Sequence, residues 1–261
     1  MIQINKKTAA MPASEQVVLT LTADLRSKDR TRIQEAVEKL GDLELPVGII
    51  QTLIDLVGEK TLDLETKVQV ASVLSKIVGS EGVESNPGID AILASPNGVA
   101  TLLELVASRS TAPEIVNYAV QMVAVLIYSD AGAEAIFQQK QNVIQGVVKK
   151  LAELIVDTST KSEVKLAAVK ACGLFSCEKV VLHAIAALEN LPTLVGALVN
   201  GKLQPAVSVM IARLATHPDG VGVVRDNPKA MRLLADDVDS KYREIKQLAV
   251  AALKSMEETT E

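Results

Sequence analysis

One pattern of small, apolar and polar positions recurs six times along the chain. The copies are Arg32–Leu43 (RIQEAVEKLGDL), Thr66–Ile77 (TKVQVASVLSKI), Ile115–Leu126 (IVNYAVQMVAVL), Val164–Phe175 (VKLAAVKACGLF), Leu203–Leu214 (LQPAVSVMIARL) and Ile245–Met256 (IKQLAVAALKSM). In each, the fifth, sixth, ninth and twelfth slots are small or apolar, apart from Ser208 in slot six of the fifth copy. Such spacing returns to one side every three or four residues and predicts a helix with a single buried stripe. The copies start 34, 49, 49, 39 and 42 residues apart. The mean, about 43, falls within the ~40–47-residue period of two- and three-helix solenoid repeats. One such unit cannot bury its stripe alone, so the copies must stack.

A second apolar helix precedes the later copies, at Ile50–Val57, Val99–Val106, Val148–Ile155, Leu191–Val199 and Met231–Val238. Polar breaks such as Glu59–Thr61, Ser108–Thr111 and Asp239–Lys241 separate it from the recurring phrase. Short leading helices are predicted at Gly88–Ala94 and Ala131–Phe137, and His183 lies in another (VVLHAIAAL). No run alternates with the period of a strand between hairpin turns, so the fold is read as all-α. The expected architecture is a right-handed α-solenoid, a superhelix of about six repeats. Residues 1–13 read as a flexible lead, residues 14–258 as the array and residues 259–261 as a tail. Ser14 is the predicted cap of a first helix carrying Leu21 and Leu25. Gly79–Gly98 exceeds the other junctions in length. It folds either as the short helix plus turns or with a mobile stretch at Glu81–Asn86.

Composition narrows the function. The hydrophobic fraction is 48% with only 2% aromatics, so the core must be built from Leu, Val, Ile and Ala. Net charge is −5 without a basic block, which argues against a nucleic-acid partner. No apolar run of 18 residues escapes polar interruption, and Met1–Pro12 lacks a secretory apolar segment. These signs point to a soluble, cytoplasmic protein without membrane insertion, with nuclear or cytoskeletal association left open. Cys172 fills buried slot nine and is expected to act as a small hydrophobe. Met122 and Met210, in slot eight, read as core fillers. His183 and His217 read as packing or helix-end residues, Asp236, Asp237 and Asp239 as a solvated face, and Gly220–Gly222 as a loop without a phosphate-cradle motif. No catalytic group, metal site or cofactor is expected.

The three-part unit resembles the armadillo repeat: a short helix, a second of I-x-x-L-V-x-L-L type and a third of V-Q-x-x-A-A-x-A-L-x-N-L type. The resemblance covers about Ser14–Glu258, is best in copies three to six, and is closest at Ile245–Met256. Copy one departs from it with Arg32 and Lys39 at usually apolar positions, and copy six has no successor, as end caps require. HEAT repeats, which lack the separate short helix, are the alternative. The resemblance implies that the third helices line a concave groove holding a partner segment.

By periodicity, slots three, seven, eleven and fourteen face away from the buried stripe. The candidate groove is therefore Asn117, Gln121, Val125, Tyr128, Lys170, Leu174, Val209 and Arg213, with Tyr118 on the rim. Nuclear-import adaptors of the family carry Trp in slot seven and Asn in slot eleven. This chain has no Trp and no Asn in slot eleven, so recognition of import signals is not expected. A long basic groove of the catenin type is also missing, since only Lys76, Lys170 and Arg213 would contribute positive charge. The expectation is a non-enzymatic adaptor or scaffold that binds an extended peptide or an amphipathic helix of another protein. Kept beside it are a co-chaperone of nucleotide-exchange type, a formin-type regulatory module, a helical-repeat lyase and a homodimer formed through an end repeat.

Overall fold

A computed structural model describes residues 20–21, 23–25, 27, 29–40, 47–59, 62–79, 86–200 and 204–258. The expected lead, the Ser14 cap, residues 80–85 of the long junction and the tail lie outside the described residues. Among those described, every regular element is helical. The first repeat supplies α1 (Arg30–Leu40), and the second supplies α2 (Val47–Gly58) and α3 (Leu64–Val78). The next two are complete triplets: α4 (Pro87–Ala94), α5 (Gly98–Ala107) and α6 (Pro113–Leu126), then α7 (Asp130–Phe137), α8 (Gln141–Val156) and α9 (Ser162–Phe175). The fifth comprises α10 (Lys179–Ala186), α11 (Leu191–Asn200) and α12 (Gln204–Ala215). The sixth comprises α13 (Pro218–Arg225), α14 (Pro228–Asp237) and α15 (Arg243–Glu258).

The third helices α1, α3, α6, α9, α12 and α15 pack each against the next, and the second helices α2, α5, α8, α11 and α14 form the parallel layer behind them. Short helices turn the chain between layers: α4 meets α5 at 99° and α10 meets α11 at 103°. No single helix among the described residues is long and apolar enough to cross a membrane.

Local chemistry sets the helix starts. Asn86 and Asn227 accept from the backbone N–H groups two and three residues on, each followed by Pro at the first helical position. Asn86 Nδ2 also donates to the Val78 carbonyl at 2.7 Å, fastening α4 to the end of α3. The described part of Gly79–Gly98 is thus the short helix with its cap and turn.

The expected Gly220–Gly222 loop is a correction, because both glycines lie inside α13. His217 caps this helix, Pro218 opens it, and a Cβ on Gly220 would stand 2.4 Å from the Leu214 carbonyl oxygen. The glycine allows the short helix to fold back against the helix before it, as Gly132 does against Leu126. Glycine here marks close helix contact rather than a break.

The buried stripe follows the pattern slot by slot. Slot five is buried in every copy: Ala36, Val70, Ala119, Ala168, Val207 and Ala249. Slot six is buried in Ala71, Val120, Val169 and Ser208, but Val250 in the last copy is 47% exposed. Met122, Met210 and Cys172 are buried as expected, and burial pushes the Cys172 thiol up to about 12. Phe137 and Phe175, the only phenylalanines, meet edge-on with ring centres 5.9 Å apart.

Candidate functional site: a hollow across the third helices

The layer of third helices carries a hollow of about 350 Å³, lined by residues from four repeats. Tyr128 contributes from the end of α6, Lys170, Gly173 and Leu174 from α9, Pro205, Ala206 and Val209 from α12, and Tyr242, Glu244 and Ile245 from the entry to α15. The lining therefore runs diagonally, from the C-terminal end of one helix to the N-terminal end of the third helix three repeats later. Small residues at Gly173 and Ala206 create the depression; a Cβ on Gly173 would meet the Ala206 backbone oxygen at 3.0 Å.

Four of the nine expected groove residues, Tyr128, Lys170, Leu174 and Val209, come together here. Tyr118 and Val125 are half-buried and pack onto the core instead. Gln121 accepts from the Ser75 hydroxyl at 3.2 Å, so its carbonyl stitches α6 to α3. Asn117 is half-buried on α6, outside the lining. Arg213 stands one helical turn beyond Val209 and outside the lining; its Nε is buried and makes no hydrogen bond. It lies beside Cys177, whose thiol is pushed up by partial burial, lowered by Arg213, and raised again by Glu244 and Glu178.

Tyr242 and Glu244 escaped the sequence reading because they precede the sixth phrase, next to the polar break Asp239–Lys241. Pro205 occupies slot three, so its signal was present in the pattern. The chain has five aromatic side chains, of which Tyr118 is half-buried on α6. The two Phe pair edge-on, Phe175 buried and Phe137 half-buried, whereas Tyr128 and Tyr242 are 61% and 52% exposed and share one hollow. Lys241 Nζ lies 5.1 Å from the Tyr242 ring centre, a cation–π contact on the rim.

One other reading needs correction. Asp237 is not part of a solvated face. It is half-buried, and burial pushes its carboxyl above the ordinary value of 3.8, opposed by the Ser208 hydroxyl beside it and aided by Asp236. His217 is a helix-end residue, as expected, and it meets the other histidine. His183 Nδ1 and His217 Nε2 lie 3.4 Å from one another, although 34 residues separate them in sequence.

A second hollow, of about 410 Å³, lies where the turns between second and third helices of repeats two and three meet. Its lining includes Leu64, Lys67, Glu104, Ser108, Ser110 and Thr111.

No family model matches the sequence, and a search of curated proteins finds no match. Solved structures do match. A computationally designed armadillo repeat protein for modular peptide recognition is 16% identical with a TM-score of 0.63, over 91% of this chain and 99% of that one. A designed armadillo repeat protein in complex with the peptide (KR)4 is 17% identical with a TM-score of 0.56, over 94% and 100%. A structure from work on a phosphorylation switch between cadherin and beta-catenin is 14% identical with a TM-score of 0.58, over 94% of this chain and 60% of that one. At these identities the likeness is one of architecture. The chain has the armadillo-repeat fold, an all-α solenoid of stacked helical repeats.

Proposed function

We infer that this protein is a non-enzymatic scaffold whose third-helix face binds a segment of another protein, with the Tyr128–Tyr242 hollow as its anchor point. The observation that carries this reading is the pairing of two exposed tyrosines over an apolar floor. Exposed aromatic groups are the commonest anchors of protein interfaces, and the chain holds only three tyrosines in all. A hollow of about 350 Å³, at the small end of binding-site volumes, has room for an anchoring side chain or two. The remaining affinity would come from contacts along the face of neighbouring repeats. Lys170 in the lining and Arg213 beside it, with its unpartnered Nε, favour an acidic group next to the apolar anchor, while Glu244 disfavours a second one at the α15 end. Armadillo-fold neighbours are described with a bound peptide and for peptide recognition, which supports the same class of partner.

Affinity capture with the native chain and a Tyr128→Ala/Arg213→Glu variant tests this, once circular dichroism shows equal folding. A protein held by the native chain and released by the variant is the expected result. Equal retention by both would move the site to another face and dismiss the hollow as the anchor.

A further inference from the structure

We propose that His183, His217 and Asp219 form a zinc site that clamps the fifth repeat to the sixth. His183 is on α10, and His217 and Asp219 open α13, so the three residues join the short helices of adjacent repeats at a place the third-helix hollow does not touch. Their candidate ligand atoms all lie within 4.8 Å of one another. The key distance is the 3.4 Å between His183 Nδ1 and His217 Nε2. Two nitrogens each about 2.0–2.1 Å from a tetrahedral zinc stand about 3.3 Å apart, so this pair is already at ligand spacing. Asp219 Oδ2 lies 3.8 Å from His183 Nδ1 and must swing inward to complete the site, which its exposed side chain permits. The fourth tetrahedral position is left to water.

The imidazoles differ in how firmly they are held. His217 has only 13% of its side chain exposed and accepts the Asp219 N–H on Nδ1 at 3.2 Å, capping α13. In that tautomer Nε2 carries the hydrogen and faces His183. His183 is 67% exposed and adjusts at little cost. Zinc coordination through His217 Nε2 moves the ring hydrogen to Nδ1, so the cap bond accepted from the Asp219 N–H is given up when the metal binds. Two imidazoles and one carboxylate favour zinc over magnesium or calcium, which prefer all-oxygen cages. In a solenoid each repeat is held only by its neighbours, so a metal bridging two of them stabilises the end of the array.

The test is calorimetric titration of Zn²⁺ into the full chain carrying Cys177→Ser, which removes the exposed thiol as a competing ligand. His183→Ala leaves the α13 cap in place, and His217→Asn replaces one capping acceptor with another while removing the imidazole. The expected result is one zinc per chain, bound about tenfold or more weakly by either variant. Zinc should also raise the urea midpoint of the parent and not of His183→Ala. Zinc bound equally by parent and both variants, or not bound by the parent at millimolar metal, would overturn the site.

Discussion

The two hollows of this solenoid are similar in size and differ in their aromatic edge and in the number of repeats that build them. The one at the turns of repeats two and three has an apolar floor that includes Val57, Leu62, Leu105 and Ile115, a rim of hydroxyls and charges from Ser108, Ser110, Thr111, Lys67 and Glu104, Leu64 as its exposed apolar residue, and no aromatic side chain. The one on the third-helix layer is floored by Leu174, Ala206, Val209 and Ile245 and edged by two tyrosines. Stacked repeats leave depressions wherever their edges meet, so volume alone does not identify function. What separates the two is the chemistry of the lining and the number of repeats that build it. The edge hollow belongs to one junction, whereas the third-helix hollow draws on four consecutive repeats and exists only when they are stacked.

That contrast is open to direct tests. The largest expected effect is on the support beneath the third-helix hollow. Phe175 follows Leu174 in α9, is fully buried, and meets Phe137 edge-on, so Phe175→Ala should cost ~3–5 kcal/mol of stability in urea unfolding. Leu126→Ala, in the same buried slot one repeat earlier, should cost ~2–5 kcal/mol. Next comes Tyr128→Ala, which should weaken partner binding by more than ~1 kcal/mol while the unfolding midpoint hardly moves. If Tyr128→Ala unfolds the protein and leaves residual affinity intact, the tyrosine is structural and the contrast between hollows fails. Leu64→Ala, in the edge hollow, should change stability by no more than ~0.5 kcal/mol and leave partner affinity unaltered.

The smallest effect concerns Asp237 and has a definite sign. Its folded-state pKa is raised, so its protonated form contributes stability that is fully present below 3.8 and lost as pH rises through the raised value. Asp237→Asn resembles the protonated form. It should raise the melting temperature slightly at neutral pH, and that advantage should close as pH falls toward 3.8. A constant advantage across this range would mean that burial of the charge is not its source.

Much of the fold was legible because it rests on one period. Slots five and nine of the recurring phrase are what a helix buries, and the short helices at Gly88–Ala94 and Ala131–Phe137 carry their own start signals. Three features were hidden for physical reasons. Gly220 and Gly222 read as a break, since nothing in the local sequence states that α13 packs back onto Leu214. Tyr242 lies before its repeat phrase begins, and only the diagonal offset of packed helices brings it to Tyr128. His183 and His217 meet through the stacking of two repeats, a contact that periodicity within one helix does not encode. Gln121 shows the converse: its slot faces the groove, yet its carbonyl is engaged by Ser75 of the preceding repeat. Pattern locates helices and their faces, while contacts between repeats decide which exposed residues converge.

The central claim is that the third-helix hollow, and not the edge hollow, anchors a partner segment. Its most direct test is to select binding peptides on the native chain by display and to measure their affinity for three equally folded proteins: native, Tyr128→Ala/Tyr242→Ala and Leu64→Ala. The account predicts that the double tyrosine variant binds about tenfold or more weakly, with Leu64→Ala indistinguishable from native. Peptides held equally by the native chain and the double variant would contradict it.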